Sequence, residues 1–279
     1  MKTQNDVIYG KGSNRDLKLD IYLPDGKEHT RTAIILLHGG AWRFGDKSTM
    51  SIFGSELTGH GFVVLAPEYR LLDEAPWPAQ IEDVKAAIRW VRANAGTLGI
   101  EADKVVVQGF SAGGHLALMA GGTSRHPGFS NKGGIATSDS VAAVVAFFAP
   151  IEFSLDSPGP GYNPAASLLG DSASEDEARQ ASPINYASNE FPPTFLLHGT
   201  ADTVVPYLTS QRMFDALTGK GVMAELHLYP GHTHEFVRLP SMLGQVQSEI
   251  SLFLKRTVVD PEKYIVENKK LNMFANTDA

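Results

Sequence analysis

Ser111 stands in Gly109-Phe110-Ser111-Ala112-Gly113, directly after the apolar run Val105-Val106-Val107 and shortly before the helix-forming run Leu116-Ala117-Leu118-Met119-Ala120. A serine hydroxyl is a weak nucleophile at its own pKa. It must be held clear of the backbone, near a base, and beside donors for the oxyanion that its attack generates. A tight strand-to-helix turn supplies the first and third of these. Gly109 and Gly113 fall where a β-carbon has no room, and the helix after Ser111 aims free N–H groups at the reacting centre. A second glycine motif, His38-Gly39-Gly40-Ala41-Trp42, ends the apolar segment Ala33-Ile34-Ile35-Leu36-Leu37. Only a loop without side chains can bring two N–H groups against a developing negative charge. The two motifs together point to acyl transfer by a serine nucleophile.

The nucleophile needs a base and the base an orienting acid, and the chain offers them in the order Ser, Asp, His. The segment Thr194-Phe195-Leu196-Leu197 runs into His198-Gly199-Thr200-Ala201-Asp202, which places Asp202 in a loop at a strand's carboxyl end, where catalytic groups collect in open α/β sheets. The next strand, Glu225 to Tyr229, leads to Pro230-Gly231-His232-Thr233-His234-Glu235-Phe236, so the base is one of His232 and His234.

On these motifs the chain resembles α/β-hydrolase esterases of the hormone-sensitive-lipase-like and feruloyl/acetyl-xylan-esterase-like kind. The resemblance spans roughly residues 15 to 256. It rests on HGGAW at 38–42, APEYRL at 66–71, the helix from Pro78 to Trp90 with Asp83, GFSAGGHLA at 109–117, HGTADTVVP at 198–206 and His-x-Phe at 234–236. Relatives commonly close on His-Gly-Phe, which aligns their catalytic histidine with His234 and puts Glu235 where glycine is usual. The resemblance implies a Ser111, Asp202 and His234 triad, with Gly40, Ala41 and Ala112 as oxyanion donors. Many relatives read His-Gly-Gly-Gly, and Ala41 replaces the last glycine while keeping its N–H. Asp83 and Glu68 also fall on family motifs, Glu68 where Asp is usual, and are expected to be structural anchors. Trp42 and Arg43 follow the oxyanion loop and are expected to touch substrate.

The other histidines have plainer readings. His38, at a strand end before the glycines, is expected to brace the loop, while His115 and His198 are expected to be packed. Zinc sites need convergent ligands at helical or hairpin spacing, and the chain has no cysteine, so no metal or other cofactor is expected. A net charge of -7 without clustered Lys and Arg speaks against nucleic-acid binding. The longest apolar run, Val141 to Pro150, is too short to cross a bilayer and reads as a buried strand. The first residues carry no secretory signal, which makes the cytoplasm the default expectation, although a chain whose signal has been removed looks the same. The expected partner is a small-molecule ester, and homodimers are common among relatives.

To position these groups the chain must form an α/β fold. Short apolar segments alternate with helical ones, as in a mostly parallel sheet covered on both faces. Strands are expected over 17–23, 33–37, 62–66, 105–108, 141–147, 194–197 and 224–229. Helices are expected over 49–60, 80–94, 112–121, 209–218 and 241–255. The whole reads as one α/β-hydrolase domain over 1–279, a twisted sheet of about eight strands without the full amino-terminal cap of lipase-like relatives. The stretch 151–193, with Pro158-Gly159-Pro160-Gly161 inside it, is long for a loop and is expected to form a partial lid over the site. The tail, 258–279, is polar and is expected to be loosely docked or frayed.

The leading functional expectation is a serine carboxylesterase acting on short-chain, acetyl-type or feruloyl esters through an acyl-enzyme intermediate. An arylformamidase of the kynurenine formamidase kind would use the same triad and a similar His-Gly-Gly-x-Trp loop. A binding protein on the same fold is disfavoured, because such proteins typically lose a triad member and all three are present here.

Overall fold

The computed structural model describes residues 1–25, 29–124, 126–129, 137–155 and 163–271 of the 279. Its sheet comprises β1 (Lys2–Lys11), β2 (Asp16–Leu23), β3 (Ala33–Leu37), β4 (Val63–Pro67), β5 (Val105–Phe110), β6 (Ala143–Phe147), β7 (Thr194–Gly199) and β8 (Ala224–Tyr229), in the order β1-β2-β4-β3-β5-β6-β7-β8. β2 pairs antiparallel with both β1 and β4, and every pairing from β4 through β8 is parallel. The helices are α1 (Ser51–Gly59), α2 (Ala79–Ala93), α3 (Ala95–Leu98), α4 (Ala112–Gly122), α5 (Pro164–Leu169), α6 (Glu175–Ala181), α7 (Leu208–Thr218), α8 (Pro240–Leu254) and α9 (Pro261–Leu271).

The central strands are buried at every residue, as parallel strands covered on both faces must be. Period-two alternation splits their side chains between two cores. Ala33, Ile35 and Leu37 of β3 pack with Ile81 and Val84 of α2 and Leu116 of α4. Ile34 and Leu36 face the other way, toward Phe53 and Leu57 of α1 and Val246 and Ile250 of α8. The registers Leu37 to Gly109, Phe110 to Phe147 and Gly199 to Tyr229 bring the carboxyl ends of these strands level. The loops that follow β3, β5, β6, β7 and β8 therefore share one rim.

Two features depart from the sequence reading, and two fill in stretches it left without elements. β1 was not expected, because Tyr9 is its one buried residue and its polar remainder shows no core-facing alternation. Residues 141 and 142 lead into β6 and are not part of it. The 151–193 stretch contains α5, capped by Asn163, and α6, whose Ser174 and Glu177 form a capping box. The Pro158 to Gly161 run lies outside the described residues. The tail is helical as far as Leu271: a π-type turn over Lys255–Val259 buries Val258, and α9 follows it with Ile265 and Val266 exposed. No helix among the described residues is long and apolar enough to cross a membrane.

Candidate active site

Between β5 and α4 the chain turns on Ser111 at φ 53°, ψ -115°, a region costly to a residue with a β-carbon, by about 1–3 kcal/mol. The surroundings fix it there. The Ser111 N–H donates to the Phe147 carbonyl (2.9 Å), and the Ser111 carbonyl accepts from the His115 N–H (2.9 Å). A β-carbon on Gly113 would collide with the carbonyl oxygens of Leu37 and His38. Glycine there lets α4 start hard against the end of β3, beside the second glycine motif.

His234 Nε2 stands 3.1 Å from Ser111 Oγ, and its Nδ1 lies 2.6 Å from Asp202 Oδ2. Two hydrogen bonds, one of them to a side chain, help hold the loops after β7 and β8 together. Ala201 N–H donates to the His232 carbonyl (2.9 Å), and Gly231 N–H donates to Thr200 Oγ1 (2.9 Å). His232 thus serves through its carbonyl while its ring packs on Tyr229 and Phe236, and of the two histidines it is His234 that reaches Ser111.

The Asp202 side chain is fully buried. Burial alone would raise its pKa, but hydrogen bonds from His198, His234 and the Val205 N–H outweigh this and hold the carboxyl well below the usual carboxylate range. Its Oδ1 accepts from Val204 N–H (2.8 Å) and Val205 N–H (2.9 Å). It is therefore an anion throughout the range in which a histidine base operates.

His198 is packed, as expected, but the sequence reading missed its contact with Asp202. Its Nε2 faces two acceptors, Asp202 Oδ2 (3.2 Å) and the Val205 carbonyl (2.9 Å), so that nitrogen carries the proton, while Nδ1 accepts from the Ser210 hydroxyl (2.7 Å). The four-residue spacing from His198 to Asp202 across a strand end was the available signal. Phe148 was also missed. It follows β6 at φ 37°, and its ring centroid lies 4.4 Å from that of His234.

Across the nucleophile, Gly40, Ala41 and Trp42 turn the other loop at φ 118°, 51° and 59°, and the Gly40 carbonyl accepts from the N–H groups of Arg43 and Phe44. Among the described residues, no acceptor stands on the N–H groups of Gly40, Ala41 or Ala112. His38 braces this loop, with Nδ1 2.7 Å from the Gly39 carbonyl and its ring stacked on Tyr69. Farther out, Arg70 clamps the buried Asp83 with two side-chain hydrogen bonds, and Glu68 pairs with Arg15, so both acids act as anchors. Removing one partner of a buried pair such as Arg70 and Asp83 costs about 3–5 kcal/mol.

Of the two residues expected at the substrate, one borders the cavity beside Ser111 and the other does not. Trp42 borders the cavity beside Ser111, but its side chain is buried and its indole N–H is taken by His115. Arg43 is not among the residues lining that cavity. Its guanidinium donates to the Ser167 carbonyl (3.0 Å).

The cavity measures about 110 Å³ and is bounded by Ala41, Ser111, Ala112, Pro150, Asn163 and Val205, among others. A larger hollow of about 300 Å³ lies far off between β8 and α9, and none of Ser111, Asp202 and His234 lines it. No group of three or more metal-ligating side chains occurs among the described residues.

A model of the BD-FAE family matches residues 19–217. Esterase LipC of Mycobacterium tuberculosis is 30% identical over 234 residues, 80% of this chain and 58% of LipC. The chain spans little more than half the length of the curated relatives it matches. Among solved structures, esterase 2 of Thermogutta terrifontis with propionate bound superposes with a TM-score of 0.77 at 29% identity, over 90% of this chain and 93% of that one. A truncated carbohydrate esterase from gut microbiota gives 0.73 at 30% identity, over 90% and 97%. The strand order, the elbow at Ser111 and these matches agree, and the chain belongs to the BD-FAE family, on an α/β-hydrolase fold.

Proposed function

We propose that this chain is a serine carboxylesterase for short-chain acyl esters, with Ser111 as nucleophile, His234 as base and Asp202 as its orienting acid. The observation that carries the proposal is the hydrogen-bonded sequence Ser111, His234, Asp202 opening onto a small cavity that also borders Ala41 and Ala112. Ser111 Oγ attacks the ester carbonyl as His234 Nε2 takes its proton. Asp202 keeps the His234 proton on Nδ1 and stabilises the imidazolium. The N–H groups of Gly40, Ala41 and Ala112 receive the oxyanion. His234 returns the proton to the departing alcohol, and a water activated by the same ring releases the acid.

The size of the cavity supports an acetyl-type acyl group. At about 110 Å³ it falls well short of the roughly 300–1,000 Å³ of drug-sized ligand pockets. The propionate held by the Thermogutta relative points the same way. A second pocket of about 220 Å³ shares Pro164 with the first and is lined also by Glu152, Ser154, Pro206, Leu208 and Arg212. Glu152 and Arg212 pair with each other at its edge (2.6 Å), and Ile151, Pro164, Pro206 and Leu208 give it a largely apolar lining that suits the carbon skeleton of the departing alcohol.

The test is the ratio of kcat/KM for p-nitrophenyl acetate to that for N-formylkynurenine, with Ser111→Ala as the blank. The expected ratio is well above one and is abolished in the blank, with acetylated sugars preferred over feruloylated ones. A strong preference for the formamide would reassign the protein to arylformamidase chemistry. Turnover of neither would favour a binding protein.

A further inference from the structure

The oxyanion loop holds its shape only in part, through the bonds from the Arg43 and Phe44 N–H groups to the Gly40 carbonyl. Ala41 and Trp42 are consecutive non-glycine residues in the left-handed region, which L-residues with a β-carbon rarely adopt singly and more rarely in pairs. The loop also sits tight on the nucleophile turn: a β-carbon on Gly39 would lie 3.0 Å from the Phe110 carbonyl oxygen and 3.3 Å from Ser111 Cβ. A small displacement of this loop therefore moves the Ala41 N–H relative to Ser111 Oγ.

The remaining ties come from outside it, one of them from the Leu72 N–H to the Trp42 carbonyl (2.9 Å). The buried Trp42 indole donates to His115 Nδ1 (3.2 Å), and His115 Nε2 stands 2.8 Å from the Ala181 carbonyl. An indole N–H only donates and a carbonyl only accepts, so the ring is neutral, with its proton on Nε2 and both nitrogens engaged. Burial pushes His115 down to about 3, which keeps Nδ1 an acceptor at any pH where the site would work. The ring is wedged edge-on to Trp42 and beside Phe153 and Trp77. Ala181 ends α6, within the 151–193 stretch, and Ser167 of α5 in the same stretch takes the Arg43 guanidinium.

We propose that His115 is a positioning residue for the oxyanion loop: it ties the Trp42 indole to the helix that starts directly after Ser111, and this tie sets the aim of the Ala41 N–H. The inference rests on the esterase reading of Ser111. In a serine hydrolase the ground-state ester needs this aim little and the tetrahedral intermediate needs it fully, so loss of the tie appears in kcat more than in KM.

The amide oxygen of asparagine falls near the place of Nδ1, and the amide nitrogen of glutamine near that of Nε2. His115→Asn can therefore still accept from Trp42, while His115→Gln keeps the bond to Ala181 and abandons the indole. Trp42→Phe removes the same donor from the other side. With p-nitrophenyl acetate, His115→Gln and Trp42→Phe are expected to lower kcat by about 10- to 100-fold at nearly unchanged KM. The double variant should fall no further than either single one, and His115→Asn should recover most of the loss. A trifluoromethyl ketone, whose hemiketal oxygen needs the same donors, should lose affinity in parallel. Its binding can be read whether or not the acetate turns over, so failure of the esterase reading is distinguishable from failure of this one.

Equal losses in His115→Asn and His115→Gln, multiplying losses in the double variant, or a change confined to KM would overturn the proposal in favour of simple packing. Should His115→Gln not fold, Trp42→Phe against wild type carries the same expectation.

Discussion

The two sides of the candidate site are built differently. On the base side, Asp202 and His234 sit on loops that bond directly to each other through Ala201, His232, Thr200 and Gly231, and Asp202 is satisfied by backbone N–H groups two and three residues away. On the oxyanion side, the loop from Gly39 to Phe44 keeps three consecutive positive φ angles, and its outer partners, His115 and Ser167, lie far along the chain. Ties between the loops of two neighbouring strands, about 31 residues apart, make the base side depend on residue type and order. Long-range ties make the oxyanion side depend on how separate elements dock.

The sharpest way to break the base side is to remove its histidine. His234→Ala is expected to lower kcat by about 10⁴-fold or more, while His232→Ala, which keeps the backbone carbonyl that Ala201 uses, should leave kcat near wild type. Kinetics with p-nitrophenyl acetate on the two variants measures this, and equal losses would dissolve the assignment. On the oxyanion side, Gly40→Ala forces a β-carbon into the Phe44 carbonyl at φ 118°, so the loop must move. A loss of about 10²–10³ in kcat with the fold retained is expected, the scale of one misplaced oxyanion donor.

A smaller effect separates the two sides by pH. Between the ordinary histidine value of about 6.5 and the depressed value of about 3, the unfolded chain binds a proton at His115 that the folded protein refuses. Stability therefore falls as pH drops through that window, by up to about 1.4 kcal/mol per pH unit for this group. The melting temperature of wild type should decline more between pH 7 and pH 5 than that of His115→Asn. His38 and His60, also lowered by burial, contribute to both proteins and cancel in the difference. Parallel declines would mean that His115 is not held neutral by its burial.

The smallest effect lies on the base side. Glu235 adopts φ 59°, ψ 19°, the conformation that explains why relatives carry glycine there. Glu235→Gly relieves about 1–2 kcal/mol of strain and forfeits about 0.4–1 kcal/mol to the freer unfolded chain, for a net gain near ~0.5 kcal/mol in denaturant unfolding. A loss of stability would show that the Glu235 to Arg238 ion pair outweighs the strain.

This contrast also explains what could be read before the fold was known. The serine turn, the order of acid and base, and the central strands were legible because each is written in adjacent residues or in continuous apolar runs. His234 could be preferred to His232 through resemblance alone, since nothing local separates two histidines spaced by Thr233. β1 was illegible because an edge strand facing water has no hydrophobic period. The ties of Trp42 and Arg43 were illegible because their partners, His115 and the Ser167 carbonyl, are 73 and 124 positions away. α5 and α6 were missed because they are short and held by caps more than by an apolar stripe.

The central claim is that Ser111 becomes covalently acylated. Wild-type protein mixed with p-nitrophenyl acetate, quenched in acid within the first turnover and cleaved to peptides for mass spectrometry, should carry one acetyl group on Ser111, and Ser111→Ala should carry none and release no nitrophenol. Undiminished turnover in Ser111→Ala, or steady turnover in wild type with the acetyl group on another residue, would contradict it.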